Sequence, residues 1–496
     1  MSYYFISIGG TGARVLESLA HMLVAGLFPN KERDKSLYAM SIDPDIGNGN
    51  LTRTSALLSE INEFMGAKVG EGTPFLKTPL KLADPFVWSP TEKNAKLDNI
   101  IGYSKYKDTN IGYLYKSLYT KEERATILDE GFRGRPSIGA AVMGMKAIED
   151  INAATAWSNL INAVTSDVAN GGAAQIFLSG SVFGGTGAAG LPTIAKLLRK
   201  TFNKEIQKGR VRIGGALLLP YFSFSPTMEE KQNSGLFASS DNFLINTKAA
   251  LRYYADNGDS YDSMYFIGDE AMIPSANFSV GAGSQKNNAD IVDLFAAMAA
   301  LHFYRGHSGK HCYYISRAEN SFGWQDFPDI EMEDGAKISV RKRFVQFVRF
   351  MFFYLHIVKP TWPVLSASKP TPWFKKLFSS PVTHVWYKDY WKGTIDGGSP
   401  EVRNFEQYAE NFTLWLNQIE NSSGGRSVKL IDIKAFHIED GKAIIDPMMF
   451  DTLDYVNSQL TIDAVMTGLT ANSAPVGTEE GFGLFLRKIY DSCAVN

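Results

Sequence analysis

Five short, almost unbroken apolar runs constrain this chain more than any other feature: YYFISI (3–8), LYAMSI (37–42), AQIFLS (174–179), RIGGALLLP (212–220) and SMYFIG (263–268). A strand with one wet face alternates apolar and polar residues, whereas a strand buried on both faces does not, as in parallel sheets covered by helices. Between the runs, apolar residues recur at helical spacing in ARVLESLAHMLVAG, GAAVMGMKAIEDINAATAWSNLINAV, LPTIAKLLRKTF and DNFLINTKAALRYYA. This order predicts an α/β protein with a doubly wound, mostly parallel sheet. Ligands are then expected outside the carboxyl ends of its strands.

Two glycine-rich junctions fall at such ends. SIGGTGARVLE (7–17) follows the first run, and SGSVFGGTGAAGLPTIAKLLRK (179–200) follows the third, with a helix expected from Leu191 onward. Unpaired N–H groups and the positive end of the macrodipole make a helix start attractive to an anion, and glycines let that anion approach the backbone. Gly9, Gly10, Gly12 and Gly184, Gly185, Gly187 would supply such groups, with hydroxyls from Thr11 and Thr186. The plainer reading is a tight turn that only makes room for helix packing. GTGAAG (Gly185, Gly187, Gly190) has the dinucleotide spacing, but the first junction places Val15 where that pattern needs a small residue, and no G-x-x-x-x-G-K-[ST] occurs. A nucleotide-dependent oxidoreductase would also need a catalytic constellation, and the seven histidines form none by spacing.

Composition narrows the setting. The chain has 496 residues, 45% hydrophobic and 21% charged, as expected of a globular protein of two or three domains. A net charge of -2 offers no overall pull toward nucleic acid or anionic lipid. Two cysteines, Cys312 and Cys493, and a start that runs directly into a strand suit a cytoplasmic protein. FMFFYLHIV (350–358) falls short of the roughly 18–20 apolar residues of a spanning helix.

FGGTGAAGLPTIAKL resembles the GGGTGTG-type signature of the tubulin and FtsZ superfamily of polymer-forming GTPases, with Phe183 for the first signature glycine and Ala188 for the second threonine. IGGTGARVLESL is similar to that family's first glycine loop, SIDPDIG (41–47) to its second, GFRGRPSIGAAVMGMKAIED (131–150) to its third, VRIGGALLLPYFSF to the next strand and Pro-aromatic turn, and NNADIVDLFAAMAALHFYRG to its central helix. The resemblance implies a GTPase-like domain over residues 1–286, a connecting helix over 287–306 and a divergent α+β C-terminal domain over 307–496.

It further implies GTP or GDP on the glycine loops, with Asp43 and Asp45 assisting Mg2+. Those two residues read equally as an acidic turn, and Asp43 as a ribose contact. Arg133 and Arg135 would neutralise phosphate, or be solvated loop arginines. Base contacts fall by position on Asp269, Asn288, Asp290 and Asn246; as plain structure, Asn288 suits an N-cap and Asp290 a first turn. Glu229 or Glu230 stands where a ribose contact is expected. In WQDFPDIEMEDG, Asp326 and Asp329 mimic the D-F-A-D spacing with which one subunit completes the catalytic site of the next, so assembly would be a head-to-tail homopolymer.

Other features carry less. His307, His311 and Cys312 lack a second ligand pair for zinc. RKRFVQFVRFMFFYLH reads as a core-facing helix with one charged face, with membrane or partner binding as the alternative. NSSGGRS (421–427) suggests a turn or hairpin, and the Trp- and Tyr-rich stretches TPWFKKLF and VTHVWYKDYWKG leave room for a protein partner of the C-terminal third. The leading expectation is a filament-forming GTPase; the alternative is a non-polymerising nucleotide switch or scaffold subunit within a hetero-complex.

Overall fold

The computed structural model describes residues 2–29, 35–66, 75, 78–132, 134–223, 243–269, 273–274, 283, 285–306, 309–315, 321–331, 335–361, 398–422, 427–432, 436–439, 442–445, 460–471 and 482–494. All five apolar runs are strands of one sheet: β1 (Ser2–Ile8), β2 (Leu37–Ile42), β4 (Ala174–Ser181), β5 (Val211–Leu218) and β6 (Ser263–Ile267). Two edge strands complete it, β3 (Leu80–Trp88) and β7 (His311–Ile315). The order is β3-β2-β1-β4-β5-β6-β7, and every pairing is parallel.

The edges escaped the sequence reading for physical reasons. β3 carries Pro85, and its register with β2 shifts between Ala39 and Ser41, an irregularity that an edge strand tolerates. β7 alternates half-buried and exposed residues, so it lacks the unbroken apolar character of the central strands. It lies in the segment between the central helix and the Asp326 loop, and it joins the main sheet rather than forming a hairpin with Ser321–Gly323, which pairs with Ser427–Lys429.

Two-residue periodicity divides the central strands between two cores. Tyr3 and Phe5 of β1, with Phe177, Ala216 and Ile267, face one side, and Tyr4, Ile6 and Ile8, with Ile176, Leu178 and Leu217, face the other. The first side is covered by α1 (Gly9–Val24) and α2 (Gly49–Gly66), the second by α3 (Pro136–Glu149), α4 (Ala156–Ala169) and α5 (Gly185–Thr201). The long helical stretch expected over 139–164 is thus two helices. Thr155 opens the second with a capping box to Ser158, and Trp157 Nε1 donates to the Ala147 carbonyl (2.9 Å). After α6 (Phe243–Asn257), the central helix α7 spans Ile291–Tyr304 and lies on the α1 side.

The C-terminal residues extend that first core. The basic-aromatic segment forms α8 (Val340–Phe353), whose Phe344, Phe347, Phe350 and Phe353 are buried. It packs on α9 (Pro400–Glu420), Phe347 and Phe412 meeting edge to face at 5.0 Å, and on α10 (Phe482–Ser492). A small antiparallel pair, Phe436–Glu439 with Lys442–Ile445, adds the β component. NSSGGRS separates two elements, as a turn would, but not the strands of a hairpin: α9 precedes it, and Ser427–Lys429, which follows it, runs parallel to Ser321–Gly323. TPWFKKLF and VTHVWYKDYWKG lie outside the described residues.

Candidate functional site

β1 ends at Ile8, and Gly9 turns the chain with φ +73°, a left-handed conformation that favours glycine. α1 begins there. Gly12 packs so closely on the neighbouring strand that a Cβ would stand 2.4 Å from the Ser179 carbonyl oxygen. The second junction repeats the arrangement after β4: Gly184 is the N-cap of α5, and a Cβ on Gly187 would stand 2.4 Å from the Ser181 carbonyl oxygen. The second helix therefore starts at Gly185 rather than at Leu191, with the glycines in its first turn. Neither N-cap residue, Ile8 or Gly184, has a polar side chain to satisfy the first N–H groups.

The two helix starts meet. A Cβ on Gly9 would lie 3.4 Å from the Thr186 Cβ. Because β2 and β3 lie to one side of β1 while β4 to β7 lie to the other, these loops flank the point where strand order reverses. The third loop closes over the second. Gly131 and Gly134 adopt φ +98° and +69°, and the Gly185 Cβ position is 2.9 Å from the Gly134 nitrogen. Arg135 is the residue before α3, half exposed, with Nε 3.9 Å from Glu123 Oε1, so its side chain is turned to that carboxylate. Arg133, Glu229, Glu230 and His307 lie outside the described residues.

Asp43 and Asp45, after β2, are both buried. Asp45 N donates to Asp43 Oδ1 (3.1 Å), and Gly47 N to Asp45 Oδ1 (3.1 Å). Burial, reinforced by the Asp45 charge, pushes the Asp43 carboxyl up to about 8. Two buried carboxyls side by side at the end of a strand suit a hard divalent cation that shares its shell with phosphate oxygens, so the donor set fits magnesium.

Sequence reasoning missed the amides beside them. Asn48 and Asn50 reach the Gly10 Cβ position within 3.1–3.3 Å, and the only signal for them was the GNGN run. They also tie α2 to the approach of α7: Asn48 Nδ2 donates to Gln285 Oε1 (2.7 Å), and Asn287 N donates to Asn50 Oδ1 (2.8 Å).

The residues expected near the base separate. Asp290, not Asn288, is the N-cap of α7: Oδ1 accepts from Val292 N (2.8 Å), and Asp290 N donates to Asp293 Oδ2 (3.0 Å). Burial, then the neighbouring Asp293, raises the Asp290 carboxyl well above the usual range. Asn288 is exposed, and Asp269 is half-buried just beyond β6. Asn246, on α6, donates through Nδ2 to the Phe183 carbonyl (3.4 Å), which puts it on the second glycine loop.

Beneath the first loop lies a buried triad that the sequence did not reveal. Arg14 Nε donates to Asp293 Oδ2 (2.9 Å), Tyr221 Oη donates to Asp293 Oδ1 (2.9 Å), and Arg14 Nη2 donates to Tyr221 Oη. Burial alone would lower the Arg14 pKa, but Asp293 and Tyr221 outweigh it and hold the guanidinium above its ordinary value. The C-terminal part reaches the same helix start: Ala289 N donates to Gln418 Oε1 (2.9 Å) and Ile291 N to Ser422 Oγ (3.0 Å).

Asp326 and Asp329 lie on the segment that runs along α7. Gly323 N donates to Asp326 Oδ2 (2.8 Å), and Asp329 is exposed. Two residues on, Glu331 pairs with Arg305 (3.2 Å), at the opposite end of α7 from Asp290, about 20 Å away at 1.5 Å per residue. There Tyr304 Oη donates to the carbonyl of Tyr4, near the start of β1. Among the described residues, no group of three His, Cys, Asp or Glu is arranged to hold a metal by itself, and no helix is long and apolar enough to cross a membrane.

No family model matches the chain, and no curated protein matches it. Solved structures do. CetZ2 from Haloferax volcanii, in a GTPγS-bound protofilament, is 14% identical with a TM-score of 0.29, over 62% of this chain and 59% of that one. CetZ from Methanosaeta thermophila strain DSM 6194 is 13% identical with a TM-score of 0.25, over 54% and 45%. Both are tubulin/FtsZ-like proteins. The match spans less than two thirds of either CetZ chain, and superpositions this loose assign no residue a role.

Proposed function

We propose that this chain is a divergent tubulin/FtsZ-like protein that holds GTP or GDP across its paired glycine loops, hydrolyses GTP and assembles head to tail. The observation that carries the reading is the meeting of two uncapped, glycine-lined helix starts, Gly9–Gly12 and Gly184–Gly187, at the reversal point of a parallel sheet. Their backbone N–H groups and the Thr11 and Thr186 hydroxyls cradle the phosphates. Asp43 and Asp45 hold magnesium, which neutralises phosphate charge when bound. Asp269, Asn288 and Asn246 are the base-side candidates left after Asp290 serves as a cap. Residues 1–286 carry the nucleotide, 287–306 connect, and 307–496 form the C-terminal part, except β7, which belongs to the main sheet.

Asp326 and Asp329 polarise the attacking water in the site of the next subunit. For Asp329 this is supported by Glu331, two residues on, which reaches Arg305 at the end of α7 opposite the glycine loops, where a carboxylate serves a neighbour's site rather than its own; Asp326 lies nearer the start of α7, its neighbour Phe327 stacking on Phe295 at 4.9 Å. The alternative is a switch or scaffold that binds nucleotide without polymerising, favoured by the engagement of Asp326 Oδ2 with Gly323 N. The deciding experiment is pelleting and negative-stain microscopy with GTP, GDP, ATP or a non-hydrolysable analogue, with phosphate release followed against protein concentration. Filaments with GTP and a per-subunit rate that rises with concentration support assembly. Bound GTP without polymer and with a flat rate selects the switch, and failure to bind any guanine nucleotide overturns both.

A further inference from the structure

We propose that residues 103–121 form a docking surface for an anionic phospholipid membrane. Tyr106, Ile111, Tyr113, Leu114 and Leu118 are 42–64% exposed, and they are five of the twelve large hydrophobic residues exposed among the described residues. Most sit on the helix Asn110–Leu118, started by Thr109 Oγ1 accepting from Gly112 N (3.3 Å). Gly112 and Tyr115 face the protein, where Tyr115 Oη donates to Asp98 Oδ1 (2.8 Å), while Ile111, Leu114 and Leu118 follow a three-and-four spacing along an open stripe. Singly exposed apolar residues need no explanation, but a contiguous group marks a contact surface.

Charge selects the occupant. Lys105, Lys107, Lys116 and Lys121 are exposed, and with Asp108 as the one acid they give residues 103–121 a net charge of +3 in a chain whose net charge is -2. Lys116 lies near the Tyr103 and Tyr113 rings, at 5.8 and 5.7 Å from their centroids. Lysine is depleted from protein–protein interface cores, and five apolar side chains fall short of the 20–30 residues a side that a standard interface uses. An apolar stripe bordered by lysines and tyrosines is instead the pattern of a helix lying in a lipid headgroup layer, where an apolar and an electrostatic signal act together. The patch hangs beside the third loop, Tyr119 Oη donating to the Ser137 carbonyl at 3.2 Å.

The test is flotation of the full chain with phosphatidylcholine vesicles made with or without phosphatidylserine. Flotation on the serine-containing vesicles only, released by high salt, is expected. Leu114→Asp with Leu118→Asp, or Lys105→Glu with Lys107→Glu, lowers the bound fraction about tenfold while the thermal melt holds, since all four positions are exposed. No flotation on anionic vesicles, equal flotation on both kinds, or unchanged flotation of the leucine variant overturns the proposal. Loss of self-association in that variant, read by sedimentation, without lipid binding in the parent protein, would assign the face to a second copy.

Discussion

Arg14 and Asp293 are 279 positions apart, yet their side chains meet at 2.9 Å with both groups sealed from solvent. Arg14 follows the first glycine loop by two residues, and Asp293 stands in the first turn of the central helix, where it also completes the capping box with Asp290. Removing one partner strands the other as a buried charge. Arg14→Met or Asp293→Leu alone is expected to cost about 3–5 kcal/mol, whereas the two together cost less than the single changes combined. Urea denaturation of the four proteins checks this; additive losses would show that the pair is not coupled.

Gly12 is expected to tolerate no side chain. A Cβ at 2.4 Å from the Ser179 carbonyl oxygen must displace backbone, so Gly12→Ala is destabilising by about 1–3 kcal/mol and weakens GTP binding by roughly tenfold or more. Gly144, inside α3, has its nearest neighbour at 3.7 Å (Thr193 Cγ2), and Gly144→Ala is expected to be neutral or to stabilise by about 0.5–1 kcal/mol. Thermal melts and titration with a fluorescent GTP analogue separate the two outcomes.

Asp43 sets a pH dependence with a definite sign. Its folded pKa, pushed up to about 8, lies above its ordinary value of 3.8, so the folded state holds the proton longer than the unfolded chain. Its contribution to stability is present in full at low pH and is lost as pH rises through about 8. Without magnesium and nucleotide, Asp43→Asn is therefore expected to melt higher than the parent at pH 9, with an advantage that shrinks as pH falls and is gone below about 3.8. Magnesium with GTP should raise the melting temperature of the parent more than that of the variant.

His21 works in the opposite direction. It is fully buried against Tyr408, Phe412 and Trp415, its Nδ1 3.3 Å from Tyr408 Oη, and burial followed by the Arg53 charge lowers its pKa to about 3. Its contribution is present above its ordinary pKa of 6.5 and is lost as pH falls toward 3. His21→Leu is expected to flatten the loss of stability between pH 6 and pH 4 in denaturant titrations, and an unchanged slope would remove His21 as its source.

The central strands were legible because burial on both faces leaves a local mark, an apolar run flanked by helical spacing. The glycine loops were legible for a related reason: Gly9 and Gly12 answer to backbone geometry within a few residues of a strand end. The edge strands were not, since a strand paired on one side need not be apolar throughout, and β3 even carries Pro85. Helix starts inside glycine runs were set too late, at Leu191 rather than Gly185, because glycine has low helix propensity and only the packed sheet holds it in the first turn.

The α/β class, the central strands and the two loops follow from residues that are neighbours in the chain. The use made of distant polar groups follows from the way the chain packs. Arg14, Tyr221 and Asp293 look like surface residues one at a time, and they become a buried triad because three elements converge under one loop. Asn48 and Asn50 likewise acquire their place beside Gly10 from the fold. Asp290 became a cap because α7 begins one residue after it, with Gln418 and Ser422 of the C-terminal part meeting the same helix start. Buried polar groups must find partners, and those partners come from whatever segments the core brings together, which no local pattern records.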